Sequence, residues 1–94
     1  MNGRRIILKD ETIIEEGEAG YSQGYLWLWF TGYTMQQAAA MFFDPEKTAH
    51  IVFQIEETQD EYDGFTECIV LQIDVDGRIS VCMKRREENV QSDT

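Results

Sequence analysis

The chain has 94 residues, of which 18 are acidic and 8 are basic, so its formal net charge at pH 7 is −10. This length fits one small domain, and a hydrophobic fraction of 43% is typical of a folded chain rather than a disordered one. The charge disfavours non-specific binding to nucleic acid, because that binding depends on basic side chains meeting phosphates. We expect residues 1–86 to form a single domain and residues 87–94 to form a flexible polar tail.

No apolar run approaches the roughly 18 residues of a membrane span, and the first residues, MNGRRIILKDET, lack the pattern of a cleaved secretory leader. We therefore expect a soluble, cytoplasmic protein that does not associate with membranes. Cys68 and Cys82 are the only cysteines. Free thiols are expected, because disulfides are rare in such a compartment.

The first half of the chain predicts three strands. Residues 4–9 and 12–16 are typical of a hairpin. Residues 17–24 contain three glycines, which predicts an irregular segment. Residues 25–31, YLWLWFT, are aromatic or apolar at every position but the last, which predicts a central strand.

A helix is predicted after Gly32. Thr34 followed by Gln37 matches a capping box, and Pro45 disfavours helical geometry at Asp44, where we expect the helix to end. Helical spacing predicts one apolar stripe facing the sheet, made of Met35, Ala38, Ala39 and Phe42.

The second half predicts a strand over residues 48–56, an acidic loop over 57–64 and a hairpin formed by 65–74 and 78–85. Because Ile73 and Ile79 must share the core face, the turn needs three residues, with Gly77 in the left-handed position. This register places Cys82 opposite Val70 and Cys68 opposite Lys84. The predicted fold class is α+β: a mostly antiparallel sheet of about six strands in the order β-β-β-α-β-β-β, with one helix packed on one face.

Two groups of residues raise the question of a metal site. A cluster of five carboxylates, which we take as a candidate acidic surface, could gather a hard cation, although its spacing matches no known ligand pattern: Glu56, Glu57, Asp60, Glu61 and Asp63. The stretch 74–79, DVDGRI, resembles part of an EF-hand loop, but Met83 stands where a bidentate Glu is needed. A hairpin turn is the better interpretation of that stretch.

His50, Cys68 and Cys82 raise two chemical alternatives, a zinc site and a cysteine nucleophile with a histidine base. Structural zinc sites usually have four ligands with closer spacing, and a Cys-His dyad requires direct contact. Phosphate-loop, nucleophile-elbow and zincin motifs are absent from the sequence. We therefore expect a protein that is not an enzyme and needs no cofactor.

The aromatic strand is the strongest candidate for function. Leu26, Leu28 and Phe30 alternate with Tyr25, Trp27 and Trp29, so both faces of this strand need a cover. One face packs under the helix. The other is covered by a second layer of the same fold, buried in a homodimer, or presented to a different protein partner. Stacking of single-stranded nucleic acid is disfavoured, because a basic groove is missing.

The stretch 19–53, AGYSQGYLWLWFTGYTMQQAAAMFFDPEKTAHIVF, followed by residues 62–66, YDGFT, resembles small proteins encoded in prophages and other mobile elements of Gram-positive gut bacteria. The resemblance implies an accessory protein that works by binding, either in the cytoplasm or on a virus particle. No site residue is inferred from this resemblance. The leading hypothesis is a protein-interaction or assembly module that forms a homo-oligomer, most simply a dimer.

Two other functions remain open. Between Asp10 and Gly77 lie 15 acidic residues and one basic residue, Lys47, so the chain could mimic nucleic acid and inhibit a nuclease or a DNA-binding protein. A small Cys/His enzyme is the third alternative.

Overall fold

The fold is that of a computed structural model, which describes residues 3–86 of the chain. Four strands, two short helices and four more strands follow one another along the chain. The strands are β1 (Arg4–Ile7), β2 (Ile13–Glu15), β3 (Glu18–Ser22), β4 (Tyr25–Phe30), β5 (His50–Ile55), β6 (Thr58–Asp63), β7 (Glu67–Ile73) and β8 (Ile79–Lys84). The helices are α1 (Met35–Phe42) and α2 (Pro45–Thr48).

The strands form four consecutive hairpins that alternate between two sheets. The first sheet has the order β2-β1-β5-β6 and the second β3-β4-β8-β7, with every neighbouring pair antiparallel. The predicted α+β class is thus confirmed. The prediction of six strands with one helix is wrong, since eight strands stand in two sheets with two helices.

The hydrophobic core lies between the two sheets. The first sheet contributes alternate side chains such as Ile6, Ile51 and Phe53, and the second contributes Leu26 and Val81. Because successive side chains of a strand point to opposite faces, each strand has only one face in this core. The rest of the second sheet's contribution is Leu28, Phe30, Ile79 and Met83.

Helix α1 begins where the capping box predicts. The Thr34 hydroxyl accepts a hydrogen bond from the Gln37 N–H, and the Gln37 side chain accepts one from the Thr34 N–H. The predicted stripe is displaced by part of a turn. Met41 is buried with Ala38 and Phe42, whereas Met35 is 36% exposed. The helix lies beside β7 and β8, and its three buried side chains belong to the core.

Helix α2 was not predicted from the sequence. Asp44 and Pro45 end α1 as predicted, but Asp44 also caps the new helix through its side chain, and Pro45 occupies its first turn. Proline fits that position because its missing N–H would have no helical partner there.

Two segments predicted to be irregular are strands. Residues 18–22 form β3, whose two-residue turn to β4 has positive φ at both Gln23 and Gly24. This is the pattern of a type I′ turn, which joins strands tightly. Residues 58–63, predicted to be an acidic loop, form the edge strand β6.

The β7–β8 hairpin confirms the predicted turn. Ile73 lies opposite Ile79, the Gly77 N–H donates to the Asp74 carbonyl, and Gly77 has a φ of +84°. The register shifts at a bulge between Cys68 and Val70, so Cys68 lies opposite Met83 and not opposite Lys84 as predicted. The expected flexible tail, residues 87–94, lies outside the described part of the chain.

Candidate functional site

The outer face of the second sheet carries the aromatic row. In β4, Leu26 and Leu28 are fully buried in the core, whereas Tyr25, Trp27 and Trp29 point to the opposite side. Both helices lie elsewhere, since α1 contributes its buried side chains to the core. Within residues 3–86, this face is therefore open to solvent.

The two tryptophans form an ordered stack on this face. Their ring centroids lie 6.1 Å apart, and the planes are inclined by only 9°. The guanidinium carbon of Arg78 lies 5.5 Å from the Trp29 ring centroid, which is a cation–π distance. Arg78, Trp29 and Trp27 thus form one row of contacts, in which both rings are half-buried.

Gly20 explains how Trp29 lies so close to the sheet. A Cβ atom at Gly20 would lie 3.5 Å from Cη2 and Cζ3 of Trp29, so the six-membered ring rests directly over the backbone of β3. Close approach of this kind is one physical use of a glycine within a strand.

Cys82 lies beneath the aromatic row. It is opposite Trp27 on one side and Val70 on the other, and only 1% of it is exposed. Burial raises the pKa of its thiol and also that of the Cys68 thiol. Both cysteines are free, as predicted, and the raised pKa disfavours the thiolate form that a cysteine nucleophile needs.

Polar residues surround the apolar centre of this face. Glu18 and Ser80 lie opposite Trp29, and Ser22 and Lys84 lie opposite Tyr25. Tyr25 itself is 41% exposed. An apolar centre with a polar rim is the anatomy of a protein–protein interface.

The predicted acidic surface is divided by the alternation of β6. Glu56 and Glu57 form the β5–β6 turn. Asp60 points to one side of the strand, and Glu61 and Asp63 point to the other. All five carboxylates are exposed.

His50 lies among these carboxylates and not near the cysteines. Its Nδ1 is 2.5 Å from Oδ1 of Asp63, and its Nε2 is 3.8 Å from Oε1 of Glu61. This places His50 on the outer face of the first sheet, while Cys68 and Cys82 belong to the second. The structure does not bring together the three residues considered for a zinc site or a Cys-His dyad. In the described region, no three His, Cys, Asp or Glu side chains are grouped to hold a metal ion.

The surface has one further concavity, which was not predicted from the sequence. An open groove of about 480 Å³ lies between the β1–β2 turn and α2, lined by Lys9, Asp10, Asp44, Glu46 and Lys47. A hydrogen bond from the Lys9 N–H to the Lys47 carbonyl joins its two sides. A hydrogen bond from the Thr12 side chain is the largest cause of a lowered pKa at Asp10. Two carboxylates of the groove already accept hydrogen bonds within the chain, Asp10 from the Thr12 N–H and Asp44 from the Glu46 N–H.

Comparison with protein-family models, with curated proteins and with solved structures finds no significant match to the chain. Neither helix in residues 3–86 has the length and apolar character needed to cross a membrane.

Proposed function

We propose that the protein is a non-enzymatic interaction module that binds a protein partner through the outer face of the second sheet, and that the partner is most simply a second copy of the chain. The observation that supports this is the row of Tyr25, Trp27 and Trp29 on a sheet face that no described element covers. Large aromatic side chains contribute much of the binding energy at protein interfaces.

The charge distribution also supports this surface. The outer face of the second sheet carries Arg78 and Lys84 beside Glu67, and the carboxylate of Glu18 is paired with Arg4. This face is therefore not strongly negative, although the chain has a net charge of −10. Two copies of a strongly negative chain repel each other least where the local charge is balanced.

Sedimentation equilibrium up to high micromolar concentration tests the proposal. The wild type is expected to dimerise, whereas Trp27→Thr/Trp29→Thr, which keeps β-favouring residues, is expected to remain monomeric. Ile7→Thr/Ile13→Thr is the matched control, because it removes two cross-strand neighbours from the outer face of the first sheet. Far-UV circular dichroism checks that both variants fold. A wild type that stays monomeric, or a tryptophan variant that associates equally well, would overturn the dimer.

The biological setting that we propose is a prophage or another mobile element, with the protein in the cytoplasm or on a virus particle. The resemblance of residues 19–53 and 62–66 supports this. Tail or capsid genes beside the coding gene, together with the protein's presence in purified particles, would support a role in assembly. Its absence from such particles would contradict the virion location.

A second candidate function is inhibition by mimicry of nucleic acid. The exposed carboxylates of β6 and its turn favour it, because a basic groove could bind them as it binds phosphates. Co-purification from a host lysate at low and high salt tests this function. Mimicry predicts that a nuclease or DNA-binding protein is captured at low salt and released at high salt. If the variant Glu56→Gln/Glu57→Gln/Glu61→Gln captures the same protein equally well, mimicry by this surface is refuted.

A further inference from the structure

Strand β6 has an edge that no strand of the described chain covers. Gly64 donates its N–H to the Ala49 carbonyl, immediately beyond the His50–Asp63 pair. In an antiparallel ladder, the backbone groups of successive residues point alternately toward the neighbouring strand and away from it. The N–H and C=O groups of Thr58, Asp60 and Tyr62 therefore bond to β5. Those of Gln59, Glu61 and Asp63 point outward from the free edge. The Asp63 carbonyl accepts a hydrogen bond from Arg85 Nε at 3.0 Å, as this alternation requires.

Two of the other three edge strands have a geometry that disfavours pairing with another chain. Strand β2 has only three residues, and β7 is interrupted by the Cys68–Val70 bulge. Short length and bulges are common ways to prevent a sheet edge from pairing with another chain. Strand β6 has neither, since its six residues pair with β5 without a shift in register. What distinguishes this strand is its charge.

The charges lie where they would oppose pairing with a second copy. Two β6 strands related by a two-fold axis pair antiparallel, so one residue must face itself. With Asp60 on the axis, two Asp60 side chains face each other, and with Glu61 on the axis, two Glu61 side chains do. With Tyr62 on the axis, Glu61 faces Asp63 of the second copy. Like charges directly opposite across two strands are destabilising.

We propose that the carboxylates of Asp60 and Glu61 prevent the free edge of β6 from pairing with the same edge of a second copy of this chain. Without these charges, two first sheets join edge to edge into one continuous eight-stranded sheet. This surface is separate from the aromatic face, and the proposal does not depend on the function proposed above.

The test is the charge-neutral variant Asp60→Asn/Glu61→Gln, whose amides keep the size of the acids. Glu46→Gln/Asp76→Asn is the matched control, because it removes the same charge from exposed positions outside β6. Sedimentation velocity at neutral pH is expected to show increased association for the first variant only. Amide hydrogen exchange is expected to slow by roughly tenfold or more at positions 59 and 61, with little change at 58, 60 and 62, which already bond to β5.

Wild-type protein in about 1 M salt provides a second measurement, because a Debye length of about 3 Å screens the same repulsion. Slower exchange at positions 59 and 61 in high salt would support the proposal. Two results would overturn the proposal. In the first, the Asp60→Asn/Glu61→Gln variant sediments like its control. In the second, the variant associates, but amide exchange at positions 59 and 61 does not change. The second result would assign any association to another surface such as the aromatic face.

Discussion

Gly17 shows how a single residue determines the path of the chain between the sheets. A Cβ atom at Gly17 would lie 2.5 Å from Cδ1 of Ile6, a fully buried side chain. The Gly17 N–H donates to the Arg4 carbonyl at 3.0 Å, so the backbone is held at this point. The chain passes here from β2 of the first sheet to β3 of the second, and any larger residue would displace Ile6.

We expect Gly17→Ala to lower the free energy of unfolding by about 1–3 kcal/mol, the usual cost of overfilling a packed core. Urea denaturation followed by circular dichroism measures the change. Gly3→Ala is the control, because nothing lies within 4 Å of a Cβ atom there, and its effect should stay within about 0.5 kcal/mol. Equal stability of the two variants would show that Ile6 moves aside at little cost.

The buried thiols predict a loss of stability at alkaline pH. Burial raises the pKa of Cys68 and Cys82 above the unfolded value, and it also raises the pKa of Tyr62. A group whose pKa is higher in the folded state stabilises the protein fully below its unfolded-state pKa. This stabilisation is lost as the pH rises through its folded-state pKa. Urea titrations between about pH 7 and 10 should show a decrease that begins near the thiol pKa of about 8.5. Cys82→Ala should make the decrease shallower, and an unchanged slope would contradict the role of this thiol.

At the scale of elements, the sequence predicts those strands that carry an apolar alternation of their own. Strands β5 and β8 follow this pattern, β4 is apolar or aromatic throughout, and the capping box fixes the start of α1. Strand β6, TQDEYD, has no apolar side chain except that of Tyr62, and it is a strand because it pairs with β5. Strand propensity depends on such neighbours more than on the segment itself.

The same limit applies to the candidate site. Alternation along β4 predicts that Tyr25, Trp27 and Trp29 share one face, but it does not tell which of the two faces meets the core. The contact between Arg78 and Trp29 depends on the pairing of β4 with β8, which are far apart in the sequence. The glycine-rich segment before β4 predicted a turn or bulge, whereas Gly20 serves as the surface under the Trp29 ring.

The β5–β6 turn contains a conformation that its residue disfavours. Glu56 has a φ of +53°, and the φ of Glu57 is not positive. This combination matches a type II′ turn, in which glycine is the usual first residue. Left-handed geometry costs an L-residue roughly 1–2 kcal/mol. Glu56→Gly should therefore stabilise the protein by about 0.5–1 kcal/mol, after the greater chain entropy of glycine is subtracted. Thermal unfolding measures this gain. Glu57→Gly is the control and should give none; a gain of similar size there would contradict the explanation.

At the scale of the whole molecule, Arg85 joins the two sheets at one end. It follows β8 of the second sheet, yet its Nε donates to the carbonyl of Asp63, the last residue of β6 in the first. Its guanidinium carbon lies 4.7 Å from the ring centroid of Phe65, a residue buried in the core. One side chain thus contacts the edge of one layer and the core between both.

Removing this contact should weaken the whole fold. We expect Arg85→Ala to lower the free energy of unfolding by about 1 kcal/mol, from one charge-assisted hydrogen bond and one cation–π contact that are both partly screened by solvent. Arg86→Ala, at the neighbouring exposed position, should have little effect. Arg85→Lys should recover part of the loss, since lysine keeps the cation but not the planar fork. Equal unfolding midpoints for the two alanine variants would contradict the contact.

The alternation of hairpins between the two sheets has a consequence for synthesis on the ribosome. Strand β4 pairs with β8 across more than half of the chain, and β1 pairs with β5 across about half. Contacts between such distant segments form slowly, because a long loop must close first. Leu26 and Leu28 therefore leave the ribosome well before the strand that completes their sheet. Until β8 has been translated, the nascent chain exposes the apolar side of its most aromatic strand, and this is the interval in which a chaperone would be needed most.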